Sequence, residues 1–274
     1  MRVREVSFVI GKIKVNFAVY SRDQIKDFQQ QDRRSLMIVC PGGGYTMLSD
    51  RESEIVALQF MAQGMNALIL RYALISGEKP VYPDPLIQVG AAVQFAKRHA
   101  DALEIDPDKV NLIGFSAGGH VAAMYAASWN KSWLLDALDA SSEELRIRTQ
   151  ILCYPVINFN YGWPSDQATV RNIQGDFPSL EADKLVNQDN IPTFIWNTAT
   201  DGTVPAKNTI AYQAALNAHH IPFEAHVFRK GRHGLSLANR LTAPPDDRSR
   251  QYIDTHVAKW LPAAIDWLRA FKQI

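Results

Sequence analysis

The sequence has almost no cysteine: two in 274 residues, Cys40 and Cys153, set in the apolar runs MIVC and ILCYPV. A disulfide-stapled scaffold is thereby excluded, and with neither a CxxC pair nor a His-rich spacing there is no metal signature. Buried free thiols in a reducing compartment are the expectation. An excess of one charge is lacking as well. Lys plus Arg number 29 against 28 Asp plus Glu, a net of +1, which leaves no electrostatic footprint for nucleic acid or an anionic membrane. No apolar run approaches the roughly 18–20 residues of a membrane span. The N-terminal MRVREVSFVIGKIKVNF alternates where a signal peptide would be continuously apolar. A cytoplasmic protein without nucleic-acid or membrane partners is expected. No repeat, low-complexity tract or Pro/Gly-rich linker divides the chain, so one domain over residues 1–274 is expected.

What is present has the composition of a folded globular chain, 47% hydrophobic and 21% charged. Residues 3–20 alternate around Gly11 and predict a β-hairpin. Residues 21–34 are polar and predict a surface connection. After them, β-rich runs at 36–40, 66–72, 110–115, 150–156, 193–199 and 223–228 alternate with helical patterns. The runs are continuously apolar, as in strands covered on both faces. Helical stripes recur over 86–100, 206–218 and 253–271. Strands alternating with helices imply right-handed crossovers and an α/β fold with a mostly parallel central sheet, helices on both faces and N-terminal antiparallel strands. The long stretch 156–191 breaks this rhythm and is a candidate lid over a site, together with Trp129–Trp133.

The strongest local signal is Gly114-Phe115-Ser116-Ala117-Gly118, between the strand VNLIGF and the helix HVAAMYAA. G-x-S-x-G in that context is a nucleophile elbow. A sharp turn forces the serine backbone into strain, the glycines leave room for it, and the hydroxyl stands at the N-terminus of the next helix. A second signal, Cys40-Pro41-Gly42-Gly43-Gly44-Tyr45, follows the strand LMIVC. Glycines there let backbone N–H groups approach a bound group, as partners of the Ala117 N–H in an oxyanion hole.

A serine hydroxyl needs a base, and the base an orienting carboxylate. Of seven histidines, His99, His120, His219, His220, His226 and His256 lie in or at the ends of helices and strands and are expected to be structural or solvated. His233 alone sits in a glycine-flanked loop, GRHG, after the last strand, where open α/β sheets place their sites. The acid is expected between Ser and His in chain order. Asp201, in TATDGTVP after the strand TFIWNTA, fits that position, with Asp176 and Asp189 as competitors within the candidate lid.

Taken together, IDPDKVNLIGFSAGGHVAA, CPGGGY, TATDGTVP and GRHG resemble the α/β-hydrolase esterases, nearest the small-lipase and acetyl-xylan-esterase-like group. That group is related to the hormone-sensitive-lipase branch and to the catalytic domain of prolyl oligopeptidases. The likeness runs from about residue 36 to 270. It implies Ser116 as nucleophile, His233 as base, Asp201 as its orienter, and the N–H groups of Gly43, Gly44 and Ala117 as the oxyanion hole. It also implies a serine carboxylesterase for acetyl to butyryl esters, carbohydrate esters among them, with no metal and no cofactor. Amidase or peptidase chemistry of the same fold and a non-catalytic ligand-binding relative are the alternatives. Two features depart from the pattern: Pro41 stands where the common HGGG has its His, and the N-terminal helical cap of the hormone-sensitive-lipase relatives is not expected. Tyr45, Tyr154 and Trp163, with Phe159 and Trp196, lie beside the predicted loops and are expected to line the substrate pocket, core packing being the other reading. The sheet edge or the C-terminal helix with Trp260 and Trp267 is a candidate homodimer surface.

Overall fold

Alternation in the first twenty residues builds a hairpin, β1 (Arg2–Ile10) against β2 (Ile13–Ser21), turning at Gly11 with φ of +58°. The computed structural model describes residues 1–23, 33–77 and 79–274, so most of the connection expected over 21–34 lies outside the described residues. The apolar runs become β3 (Arg34–Cys40), β4 (Asn66–Leu70), β5 (Ile105–Phe115), β6 (Gln150–Cys153), β7 (Thr193–Thr198) and β8 (Phe223–Phe228). They join the hairpin in one eight-stranded sheet of order β1-β2-β4-β3-β5-β6-β7-β8. β2 meets β4 antiparallel, and every pairing from β4 to β8 is parallel. Around the sheet lie α1 (Glu54–Met61), α2 (Asp84–Arg98), α3 (Ala100–Leu103), α4 (Ala117–Ala126), α5 (Ser132–Leu138), α6 (Ser142–Leu145), α7 (Gln167–Gln174), α8 (Ala182–Leu185), α9 (Lys207–Ala218) and α10 (Trp260–Ala270).

Because side chains alternate across a strand, each central strand feeds two cores. Leu36, Ile38 and Cys40 of β3 pack on one face with Leu86, Val93, Val121 and Leu216 from α2, α4 and α9. Met37 and Val39 pack on the other face with Phe60 of α1 and Trp260 of α10. Cys40 and Cys153 belong to opposite faces, and both are buried free thiols whose pKa burial pushes up. Trp260 and Trp267 are buried, so core packing accounts for both. Among the described residues no helix is long and apolar enough to cross a membrane.

At two of the expected boundaries that move, proline explains the change. The strand expected over 150–156 ends at Cys153 because Tyr154 turns back with φ of +38° and Pro155 has no N–H for a ladder. The helix expected over 253–271 becomes regular only at Trp260. Pro262 lacks the N–H that would bond to Ala258, so it fits the first turn of α10 and not its interior. Before it, Asp254 accepts from the N–H groups of His256 and Val257, and the chain makes single 3-10 turns. The stretch 156–191 carries α7 and α8, and Trp129 and Trp133 contact it at Asp189 and Phe177.

Candidate active site

Between Val110 and Trp129 every residue is buried except Ser116, which is half-buried at the point where β5 turns into α4. Its φ of +51° is strained for a residue with a Cβ, and the surroundings hold it there. The Ser116 N–H donates to Cys153 O at 3.0 Å, and its carbonyl accepts from the N–H groups of Val156 and His120, both at 3.1 Å. The glycines of the elbow are a matter of space. A Cβ on Gly114 would lie 2.3 Å from Gly118 O, and one on Gly118 would lie 2.2 and 2.3 Å from the carbonyl oxygens of Cys40 and Pro41. The elbow is thus wedged against the start of the glycine loop.

That loop has its peptide planes clamped one after another. The Pro41 carbonyl accepts from Tyr72 OH at 2.6 Å, while the N–H of the same peptide, on Gly42, donates to Glu52 Oε2 at 2.9 Å. The Gly42 carbonyl accepts from Ser49 N–H at 2.9 Å, and the Gly43 carbonyl from Thr46 and Met47 N–H at 3.1 and 3.2 Å. In a trans peptide C=O and N–H point opposite ways, so the N–H groups of Gly43 and Gly44 face away from these partners. They and the N–H of Ala117 have no hydrogen-bond acceptor among the described residues. Gly43 has φ of +129°, and a Cβ on it would lie 2.1 Å from Met47 O.

Asp201 and His233 stand on the loops after β7 and β8. Asp201 Oδ1 accepts from the N–H groups of Thr203 and Val204, each at 2.9 Å. This leaves Oδ2 to accept from His233 Nδ1 at 2.7 Å. With Nδ1 donating, Nε2 is the acceptor for Ser116 Oγ–H, at 2.7 Å. The Asp201 side chain is fully buried and that of His233 is 18% exposed. The two loops are stapled by Gly231 N–H donating to Thr200 Oγ1 at 3.0 Å, while Thr198 Oγ1 donates to the Gly231 carbonyl at 2.8 Å. Neither competing aspartate meets His233; Asp189 accepts instead from Asn130.

The remaining histidines fall where their elements put them. His120 is buried behind the elbow, its Nε2–H donating to the Leu180 carbonyl at 2.9 Å and its Nδ1 accepting from Tyr45 OH at 2.7 Å. Burial lowers its pKa to about 4. His226 meets Glu224, and His99 the Phe95 carbonyl. Among the described residues no group of three His, Cys, Asp or Glu side chains gathers to hold a metal ion.

The expected pocket walls are corrected in part. Tyr45 is fully buried, with φ of +59° turning its ring inward to pack on Tyr72, Tyr82 and His120, so it supports the loop from below and presents no surface to solvent. Tyr154 is 1% exposed; its ring meets His233 edge-on at 5.1 Å and its hydroxyl donates to Glu52 Oε1 at 2.6 Å. Burial, and next the Glu52 carboxylate, raise the pKa of Tyr154. Trp196 is likewise core. Trp163 is half-buried and stacks over Tyr45 at 6.5 Å with its edge against Gly44. Sequence reasoning missed Glu52, because an acid in the polar run SDRESE looks like any solvated helix start.

The BD-FAE family matches residues 24–216, from the segment before β3 into α9. The chain belongs to the BD-FAE family. The match ends before β8 and His233. This BD-FAE chain is similar to the solved carboxylesterase Cest-2923 from Lactobacillus plantarum WCFS1, with a TM-score of 0.94 and 35% identity over 100% of this chain and 99% of that one. It is also 35% identical to endo-1,4-beta-xylanase B of Butyrivibrio fibrisolvens over 84% of this chain, and 28% identical to an acetylxylan esterase of Xylanibacter ruminicola over 82% of it. The chain spans 36% and 46% of the lengths of these two curated relatives. The fold is that of the α/β hydrolases.

Proposed function

We propose that this chain is a serine carboxylesterase for acetyl and other short acyl esters, esters of carbohydrates among them. The observation that carries the reading is the unbroken relay from Asp201 through His233 to Ser116, each step 2.7 Å, beside N–H groups that have no acceptor among the described residues. Likeness to a carboxylesterase over the whole chain and to an acetylxylan esterase over most of it supports the same chemistry.

In this reading Ser116 Oγ attacks the ester carbonyl as its proton passes to His233 Nε2. The Asp201 carboxylate holds the ring and stabilises the imidazolium. The N–H groups of Gly43, Gly44 and Ala117 take the charge that develops on the carbonyl oxygen. Collapse of the tetrahedral intermediate breaks the bond to the alcohol, which leaves with the proton from Nε2. Water, deprotonated by the same nitrogen, then attacks the acyl-enzyme, and the acid departs as Ser116 recovers its proton. Trp163, whose ring edge lies against Gly44, is the group assigned here to limit the acyl side to short chains.

Hydrolysis of p-nitrophenyl acetate by wild type and Ser116→Ala, with intact mass after a fluorophosphonate, tests this. Expected are one adduct on Ser116 and a folded variant whose kcat/KM falls by at least about 10³-fold. Retention of more than about a tenth of the activity would remove Ser116 from the mechanism, and a rate rising steadily toward long acyl chains would refute the short-chain preference.

A further inference from the structure

The first glycine of the loop is tied to a buried carboxylate. Glu52 is 4% exposed, and among the described residues it forms no ion pair. Its Oε2 accepts from Gly42 N–H and its Oε1 from Tyr154 OH. The same hydroxyl accepts from Ser236 N–H at 2.9 Å, three residues after His233. A continuous chain of hydrogen bonds therefore runs from the glycine loop, behind the nucleophile, to the base loop. We propose that Glu52 and Tyr154 are positioning residues of the hydrolysis, holding the oxyanion loop and the His233 loop in one register through Gly42 N–H and Ser236 N–H. The proposal rests on the serine-esterase reading above and assigns how that site is kept assembled.

Further observations support it. A buried carboxylate without a cation is a costly way to gain stability, and an apolar pair of the same volume would serve a merely structural role better. What Glu52 provides is direction: Tyr72 OH holds the carbonyl of the Pro41–Gly42 peptide and Glu52 its N–H, so this peptide plane cannot rotate and those of Gly43 and Gly44 follow from a fixed start. Tyr154 is coupled to the base directly as well. Its ring lies edge-on to His233 at 5.1 Å, and its burial keeps the phenol protonated and able to donate to Glu52. The far end is anchored independently, since Ser236 O accepts from Trp260 Nε1–H at 2.9 Å and Arg51 Nη2 donates to Gly234 O at 2.9 Å.

The test uses Glu52→Gln, Tyr154→Phe and the double variant, with Tyr125→Phe as the control that loses a buried hydroxyl contact to Leu145 O away from the site. Measured are kcat and KM for p-nitrophenyl acetate, the Ki of phenylboronic acid, whose adduct on Ser116 presents a tetrahedral oxygen to the glycine loop, and Tm. Each single variant is expected to lower kcat about 10–10²-fold with KM within about twofold, and to raise the boronate Ki by a similar factor. The double variant should be no worse than the poorer single one, because either change breaks the same chain. Tyr125→Phe should lower Tm and leave kcat and Ki in place. A kcat within twofold of wild type in folded Glu52→Gln or Tyr154→Phe would overturn the proposal. An equal kcat loss in Tyr125→Phe, or failure of both Glu52→Gln and Tyr154→Phe to fold, would place the pair in the scaffold and overturn it too. An inactive wild type would instead strike the esterase reading itself.

Discussion

His120 illustrates how one residue type takes opposite roles in a single site. His233, 18% exposed, has the Asp201 carboxylate on one nitrogen and the Ser116 hydroxyl on the other. His120, four residues past Ser116, is sealed between Tyr45 OH and the Leu180 carbonyl. A carbonyl can only accept, so Nε2 carries the proton and Nδ1 stays bare for Tyr45. Burial holds the folded pKa near 4, against about 6.5 for a free imidazole. Between those values the unfolded chain binds a proton that the folded one refuses, so stability is complete above about pH 6.5 and is lost as pH falls toward 4. From pH 7.5 to 5 this costs roughly 2 kcal/mol. Urea midpoints of wild type and His120→Gln at the two pH values check it: the wild-type drop should exceed that of the variant by about this amount, and parallel drops would remove His120 as the cause.

At the scale of elements, what matters is the seam between the β3 loop and the β5–α4 elbow. Backbone oxygens of Cys40 and Pro41 approach where a Cβ on Gly118 would sit, and backbone cannot yield as a flexible side chain does. Gly118→Ala should therefore push the elbow off the glycine loop. Expected are a loss of about 1–3 kcal/mol in stability and, because Ser116 and the N–H groups of the glycine loop then part, a fall in kcat of about 10²-fold. Denaturant unfolding and esterase kinetics measure both, and a variant with native kcat would mean that the seam is slack. The elements of this seam were legible in sequence, since G-x-S-x-G and PGGGY each followed an apolar strand. Their contact was not, because it joins residues more than seventy positions apart. Local pattern also set the ends of β6 and α10 too generously, Pro155 and Pro262 imposing limits that apolar periodicity does not register.

For the whole molecule, α10 is the element that ties the far side of the sheet to the site. Trp260 is fully buried, stacks on Trp196 of β7 at 5.3 Å, meets Phe115 of β5 edge-on at 6.2 Å, and donates to Ser236 O. Trp260→Ala removes a large part of the second core and frees the segment after His233. A loss of about 3–5 kcal/mol is expected, with kcat lowered in the fraction that remains folded. Trp260→Phe should keep most of the stacking and lose about 1 kcal/mol with the hydrogen bond. Thermal or urea unfolding distinguishes the two, and a cost below about 1 kcal/mol for the alanine variant would show that α10 packs without it.

Much about this protein was determined by its sequence alone. Strand and helix succession followed from apolar runs and helical stripes, because burial on two faces of a sheet or one face of a helix leaves a local period. Ser116, Asp201 and His233 stood out because each follows a strand within a small-residue turn, and chain order assigns their parts. Tertiary structure alone decided which polar groups meet at a distance. Tyr45 and Tyr154 carry no local mark that separates a pocket wall from a buried prop, and Glu52 none that separates a solvated acid from the anchor of the glycine loop. Those roles depend on what the packed chain places opposite each side chain. A hydroxyl or carboxylate sealed from water takes its place from the one partner that satisfies it.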